Sequence, residues 1–429
     1  MGGGGFFLLS GYAGTGKTFL MKRVMNFIEE SSMKSVALTA PTHKALRVLR
    51  DMTESDNLYT THSYLGMKQD IDRDGNIVFK KDPYADCPAN EYQITIVDEA
   101  SMVADEIFDE LLDLSSHMKI IFVGDSLQIP PVNCPNSLPF ERQIQTEMNF
   151  QTAELDKIVR QAEGNPIIQT SMGIREQIKR PIPRLSYESN TDGLIGVRYT
   201  PYDAKTPLHE GILDKFTSQQ FEESPDYMKV IAWTNRSVNK FNKIIRDHIF
   251  AKDGVTLPSI IPGDKLVANA PINEGRNTLV QNNEDMEVLS AEVKDDQVNA
   301  ELTLKVYKAK VHVFGYGKGS RECTINILHE DSTKEFKKIL DMLRAKAKLQ
   351  PRGTALARSA WIDFYKFKER YADVKYAYAI TAHKAQGSTY DHAVVILSDL
   401  MNNNNIVERN RILYTSVTRP KYTLEIIHK

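Results

Sequence analysis

Apolar and polar positions alternate along this chain in blocks that read as strands and helices in turn. The run FFLL at 6–9 has the continuous apolar character of a strand buried on both faces. A glycine-rich stretch follows, and then Phe19, Leu20, Val24, Phe27 and Ile28 recur at helical spacing. SVALTA (35–40) precedes the helical pattern THKALRVLR, QITIVDEA (93–100) precedes EIFDELLDL, and KIIFVGD (119–125) runs into a proline-rich loop. Repeated strand–helix units predict a parallel sheet covered on both faces. A second set begins with MKVIAWTN (228–235), and its helix places Val238, Phe241, Ile245 and Ile249 on one face. YAYAITAH (376–383), HAVVIL (392–397) and YTLEII (422–427) read as strands that complete this second core, which makes it discontinuous in sequence.

The intervening segment has a different period. LTLKVYKAKVHV (302–313) and CTINIL (323–328) alternate as in an antiparallel barrel, and helices are expected over 333–349 and 357–372. A shorter insertion, MKQDIDRDGNIVFKK (67–81), reads as a hairpin with Asp74-Gly75 at its turn and Ile71, Ile77 and Phe79 on its arms. The expected domains are a first core over 1–160 carrying a hairpin insertion at 64–92, a second core formed by 161–254 and 373–429, and a barrel-and-helix insertion over 255–372.

Composition narrows the class. A chain of 429 residues exceeds one ordinary domain, and its 41% hydrophobic and 26% charged residues fit a soluble globular protein. No stretch approaches a membrane span, and the start lacks the basic region of a secretory signal. The three cysteines Cys87, Cys134 and Cys323 form no C-x-x-C pair, so a reducing, cytoplasmic setting is expected, the host cytoplasm if the chain is phage-encoded. A net charge of −2 argues against a bulk polyanion binder but leaves room for a local basic groove.

The chemistry concentrates at predicted strand ends. Gly11, Gly14, Gly16, Lys17 and Thr18 lie in GYAGTGKT, which matches G-x-x-x-x-G-K-[ST] between a strand and a helix. Small residues there let backbone N–H groups wrap a phosphate, the lysine adds charge, and Thr18 suits Mg²⁺. Asp98 and Glu99 end ITIV, where Asp98 suits Mg²⁺ and Glu99 can orient and deprotonate an attacking water. Gln128, in VGDSLQIPPV, can hydrogen-bond a γ-phosphate.

GYAGTGKT, TAPTHKA, VDEAS, GDSLQIPPV, ITAHKAQGSTYD and LYTSVTRPK occur in the order of the superfamily 1 helicase motifs. The chain resembles superfamily 1B, the Dda-like and RecD-like branch. This resemblance implies an α/β fold of two RecA-like parallel-sheet cores with an inserted β-hairpin and an inserted SH3-like β-barrel plus helices. It also implies ATP and Mg²⁺ as cofactors, single-stranded DNA and DNA forks as partners, a monomer, and translocation 5′→3′. Replication or recombination proteins are possible further partners, and no membrane is expected.

Residue by residue, the resemblance gives Lys17, Glu99, Gln128, Arg160 and Arg419 catalytic roles, both arginines approaching the γ-phosphate. Gly387 couples the nucleotide to the DNA groove. Pro41, Thr42, His43, Thr61, His62, Thr234, Asn235, His383, Lys384 and Ser388 face DNA. Two departures stand out: MGGGG occupies the place where such helicases usually carry an adenine-recognising glutamine, and Pro420 replaces the small residue after the final arginine. A translocase that strips proteins without unwinding, a 3′→5′ relative of superfamily 1A, and a DNA-binding protein with an inactive ATPase share parts of the pattern. For strand separation, the expected wedge is the hairpin, with Phe79 meeting Trp361 and Tyr365 of the insertion's last helix across the groove.

Overall fold

In the computed structural model the described residues are all but 1–4, 33–34, 73, 83–84, 132–133, 158–163, 180–188, 193–194, 252–256, 276, 316–319 and 429. Arg160 therefore lies outside the described residues. They form two compact units: Met1–Leu65 with Cys87–Ile249 and Tyr378–Lys429, and Gly66–Asp86 with Phe250–Ala377.

The first unit contains two six-stranded sheets. One runs Leu58–Thr60, Val36–Ala40, Ile94–Val97, Lys119–Gly124, Gly5–Gly11, Gln151–Leu155, all parallel. Val36–Ala40 and Ile94–Val97 are buried throughout, as strands covered on both faces must be. Helix His43–Thr53 buries Ala45, Leu49 and Thr53 at four-residue spacing, and Glu54 ends it in the left-handed region. Helix Asp105–Leu114 starts with two acids, which favour its N-terminus, and buries Ile107, Phe108, Leu111 and Leu114.

The second sheet runs Ala379–Thr381, Met228–Ala232, Tyr390–Ile396, Pro420–His428, Ile195–Pro201, Asn190–Asp192, parallel except for its last pair. Helix Asn235–Phe250 covers it with Val238, Phe241 and Ile245, and also buries Asn242. The Asn242 amide donates to the Ala379 carbonyl at 3.0 Å and accepts from the Ala379 N–H at 2.7 Å, pinning the edge strand.

In the second unit, Arg321–Leu328, Thr303–Val313, Asp285–Gln297, Lys265–Ala268 and Val374–Tyr376 pair antiparallel in that order. Its core includes Leu266, Met286, Val288, Val311 and Ile325. Helices Thr333–Lys348 and Ala355–Lys368 belong to the same unit, as does the hairpin Met67–Ile71/Ile77–Lys81.

One expected strand is corrected. The apolar run 376–383 is not continuous: Val374–Tyr376 pairs in the second unit, Ala379–Thr381 pairs in the first, and Ala382–Ala385 turns into a helix capped by Thr381. Continuous hydrophobicity cannot reveal a change of sheet, because half-buried Val374 and Tyr376 pack on one core while Ala379 and Ile380 are buried in the other.

Candidate functional site

Three adjacent strands of the first sheet, Ile94–Val97, Lys119–Gly124 and Gly5–Gly11, end on one edge, and each is followed by a loop carrying predicted chemistry. Ligands of open α/β sheets bind beyond such strand ends. Gly14 and Gly16 adopt φ of 80° and 82°, which only glycine takes without steric cost, so the loop can curl with its N–H groups inward. Lys17 Nζ donates to the Gly11 carbonyl at 2.8 Å and to the Tyr12 carbonyl at 3.1 Å, which holds the ammonium over the loop where a phosphate would compete for it. Thr18 follows in the first turn of helix Lys17–Ser32.

Asp98 is half-buried at the strand ends, its N–H donating to the Thr39 carbonyl at 2.8 Å. Burial, with Glu99 beside it, pushes its carboxyl above the ordinary carboxylate range; the Glu99 N–H and Lys17 act in the opposite direction. A divalent cation would relieve that penalty, so Asp98 with the Thr18 hydroxyl fits Mg²⁺. Glu99 has φ of 51°, a left-handed conformation rare outside glycine and asparagine that aims its side chain differently from the preceding strand. Gln128 is 5% exposed and its Oε1 has no hydrogen-bond partner among the described residues, leaving a buried acceptor available to a ligand's water or proton.

Arg419 is 7% exposed, and its guanidinium donates to the Thr415 carbonyl, the Ser388 carbonyl and the Thr418 hydroxyl at 2.8, 3.3 and 2.9 Å. The structure thus parks it on its own core. Gly387, at φ 71°, lies close to the first core: a Cβ there would meet Ala45 Cβ at 3.1 Å and Thr42 Oγ1 at 3.6 Å. That places it beside the expected DNA-facing residues Pro41, Thr42 and His43.

Among those residues several hydroxyls have structural work. Thr42 Oγ1 accepts from the Ala45 N–H at 3.2 Å, capping its helix. Thr234 donates to Asp399 and accepts from the Ser237 N–H. Thr61 is buried and His62 half-buried, with burial lowering the histidine's pKa. Asn235 opens its helix, His383 is exposed, and Lys384 is half-buried. Ser388 is 4% exposed and its hydroxyl has no partner among the described residues.

Two residues escaped the sequence reading. Gln386, buried beside Gly387, donates to the Ser101 hydroxyl at 3.2 Å and the Ile129 carbonyl at 3.0 Å, joining the second core to both catalytic loops of the first. Its position inside HKAQG was the available signal. Asp399 accepts from the Trp233 and Thr234 N–H groups at 2.9 and 2.8 Å, fixing the start of the Asn235 helix. An isolated acid ending an apolar run was the only hint.

In the second unit, the hairpin and the helix Ala355–Lys368 meet, and the turn takes part in the contact. Gly75 packs on the Trp361 ring, where an added Cβ would lie 2.2 Å from Cε2. Tyr365 donates to the Gly75 carbonyl at 3.0 Å, and Arg358 pairs with Asp70 at 3.0 Å. Phe79 is 44% exposed on the hairpin arm, opposite Gln69. At the turn, a glycine leaves the indole room to approach the backbone.

A phosphate loop, a following acid pair and a glutamine loop on one parallel sheet, joined to a second parallel sheet, define a nucleotide-hydrolysing class of two-core proteins. Family comparison agrees: residues 1–188 match the AAA domain AAA_30, and residues 376–426 match the UvrD-like helicase C-terminal domain. The ATP-dependent DNA helicase dda of Enterobacteria phage T4 is 27% identical over 96% of this chain and 92% of its own length. The ATP-dependent RecD2 DNA helicase of Deinococcus radiodurans is 34% identical over 39% of this chain and 21% of its own. Among solved structures, the Pif1 helicase from Candida albicans aligns over 99% of this chain and 91% of its own at a TM-score of 0.49 and 15% identity. The chain resembles the superfamily 1B helicases, of the Dda and RecD-like kind.

Proposed function

We propose that this chain is an ATP-dependent DNA helicase that moves along single-stranded DNA and unwinds duplex at a fork. The observation that carries this reading is the meeting of its two parallel-sheet cores. The phosphate-side loops contact Gln386 while the neighbouring Gly387 packs against Thr42 and Ala45, so nucleotide and strand contacts share one junction. Lys17 and the loop N–H groups hold the phosphates, Glu99 deprotonates the attacking water, and Gln128 contacts the γ-phosphate. Thr18 and Asp98 hold Mg²⁺, which neutralises phosphate charge when bound. Arg160 and Arg419 stabilise charge on the transferring group, Arg419 by leaving its resting carbonyl partners.

Binding of ATP favours closure of the cores, and hydrolysis with release permits reopening. Pro41, Thr42, His43, Thr61, His62, Thr234, Asn235, His383, Lys384 and Ser388 line the path of the strand, its phosphates being gripped alternately by each core. Polarity is 5′→3′. The antiparallel sheet of the second unit is an SH3-like barrel, and the hairpin it carries is the wedge, braced by Trp361 and Tyr365. The test is unwinding of duplexes with a 5′ or a 3′ single-stranded tail, with ATP hydrolysis measured in parallel. Unwinding of the 5′-tailed substrate supports the proposal. Strand-stimulated ATPase with no unwinding of either would make the chain a translocase, and no stimulation would remove the motor reading.

A further inference from the structure

Asp125 follows strand Lys119–Gly124 and opens the loop that carries Gln128. Its carboxylate is 1% exposed and accepts from three directions: Arg175 Nη1 at 2.7 Å, the Tyr414 hydroxyl at 2.5 Å, and the Leu127 N–H at 3.1 Å. The Asp125 carbonyl accepts from the Gln128 N–H itself at 3.2 Å. Arg175 comes from helix Pro166–Lys179 and Tyr414 from helix Ile406–Val417, which pack with the second sheet. The same guanidinium lies over the ring of Tyr12, 4.8 Å from its centroid, and the Tyr414 hydroxyl accepts from the Ala13 N–H at 3.5 Å. Tyr12 and Ala13 are the first residues of the phosphate loop. Burial, with the Asp125 carboxylate next, pushes the Tyr414 phenol well above its ordinary range, so it remains a donor at every working pH.

The other end of the glutamine loop is held by the second core as well. The Ile129 N–H donates to Thr415 Oγ1 at 3.2 Å, and its carbonyl accepts from Gln386. Gln128 thus sits between two clamps, both anchored in the second core. A buried ion pair is a poor source of stability, because desolvation offsets its attraction, but it is demanding about geometry. Here that demand links the phosphate loop and Gln128 to two helices outside the core that owns them.

We propose that Arg175 is a positioning residue which, with Tyr414, makes the second core set the placement of Gln128 and the phosphate loop, so that engagement of single-stranded DNA is converted into faster ATP turnover. This rests on the reading of the chain as a DNA-dependent ATPase. Neither side chain touches the reacting atoms; Arg175 acts through Asp125 and Tyr12, and Tyr414 through Asp125 and Ala13.

The experiment measures kcat and KM for ATP with and without saturating oligo(dT), together with oligo(dT) affinity and thermal melting, on the full chain. Tyr414→Phe keeps the ring and the ion pair and deletes one hydroxyl. The double variant Asp125→Asn/Arg175→Met removes both charges, so no lone ion is left buried. In both, the ratio of DNA-saturated to DNA-free kcat should fall about tenfold, with KM for ATP and oligo(dT) affinity within about twofold of the parent, since small displacements of a positioned group act on turnover more than on binding. Retention of the parental ratio in a folded Tyr414→Phe protein would overturn the proposal, as would an equal loss with and without DNA that tracks melting temperature. A parent protein without DNA stimulation would overturn both this proposal and the motor reading.

Discussion

Gly75→Ala tests whether the braced hairpin separates strands. The turn is built by the Asp72 carboxylate, which accepts from the Asp74 and Asn76 N–H groups at 2.9 and 2.8 Å, and Gly75 completes it at φ 86°. An alanine there incurs left-handed strain of about 1–2 kcal/mol. Its Cβ would also fall 2.2 Å from the Trp361 ring, so the turn must retreat by roughly 1.5 Å to reach ordinary contact. That retreat breaks the Tyr365 bond to the Gly75 carbonyl, worth about 0.5–1.5 kcal/mol. The exposed Arg358–Asp70 pair adds little. A two-stranded hairpin is marginal on its own, so its order depends on these contacts. A loss of about 2–3 kcal/mol lowers the braced-to-free ratio roughly thirty- to hundred-and-fiftyfold. Unwinding of a forked duplex should therefore fall at least about fivefold, while translocation on single strands, scored by arrival at a labelled end, stays within about twofold. Tyr365→Phe, which leaves the turn conformation intact, should show the same selectivity at smaller size. Equal loss of unwinding and translocation, or no loss of either, would refute the brace.

Lys17→Ala should weaken ATP binding, whereas Glu99→Gln should bind ATP near the parental affinity and lose at least about a hundredfold in turnover; nucleotide titration with single-turnover hydrolysis separates the two. Asn242→Leu removes both bonds to Ala379 and leaves two buried backbone groups unpaired, so it should destabilise by about 2–5 kcal/mol in chemical denaturation. His392 is held near a pKa of about 4, below its ordinary 6.5, mainly by burial and next by Lys215. The unfolded chain then binds the extra proton between those values, so stability is full above about 6.5 and declines as pH falls toward 4. His392→Gln should flatten the acid limb of the melting profile; an unchanged limb would count against this assignment.

The sheets were legible where strands are covered on both faces, because burial makes Val36–Ala40, Ile94–Val97 and Met228–Ala232 predominantly apolar, with Thr39, Thr95 and Lys229 as their polar members. The hairpin was legible from its Asp-Gly turn, whose glycine has the positive φ such turns require. Strand Asp285–Gln297 was not foreseen, since beyond Val288 it exposes most of a charged surface and its pairing with Thr303–Val313 shifts register at Val288/Ser290. The packing of Trp361 on Gly75 was not legible, because a pattern of apolar positions marks side chains and cannot mark a backbone surface onto which an indole packs. Asn242, Asp399 and Arg175 carry bonds to groups far away in sequence, and a lone polar residue in a helix has no periodicity to betray its partner.

The composition of the junction between the cores bears on how such a motor can reopen. Tyr12 and Ile129 are the first-core residues within the apolar cluster of the second core, with Leu127 packed partly against it. Further contacts among the described residues are polar, and include Arg175 and Tyr414 to Asp125, Gln386 to Ser101 and Ile129, Thr415 to Ile129, and Arg47 to Asp226 at 3.2 Å. Separating apolar surface costs about 25 cal/mol per Å² exposed, whereas a hydrogen bond exchanged for water costs only about 1 kcal/mol net. A small apolar plug ringed by directional polar contacts therefore fixes the closed register sharply and still opens at modest cost. Enlarging the plug should reverse that balance: Thr415→Val replaces the Ile129 bond with apolar contact and should slow product release while leaving nucleotide binding intact. The check is ADP dissociation by stopped flow, and release at the parental rate would show that opening is governed elsewhere.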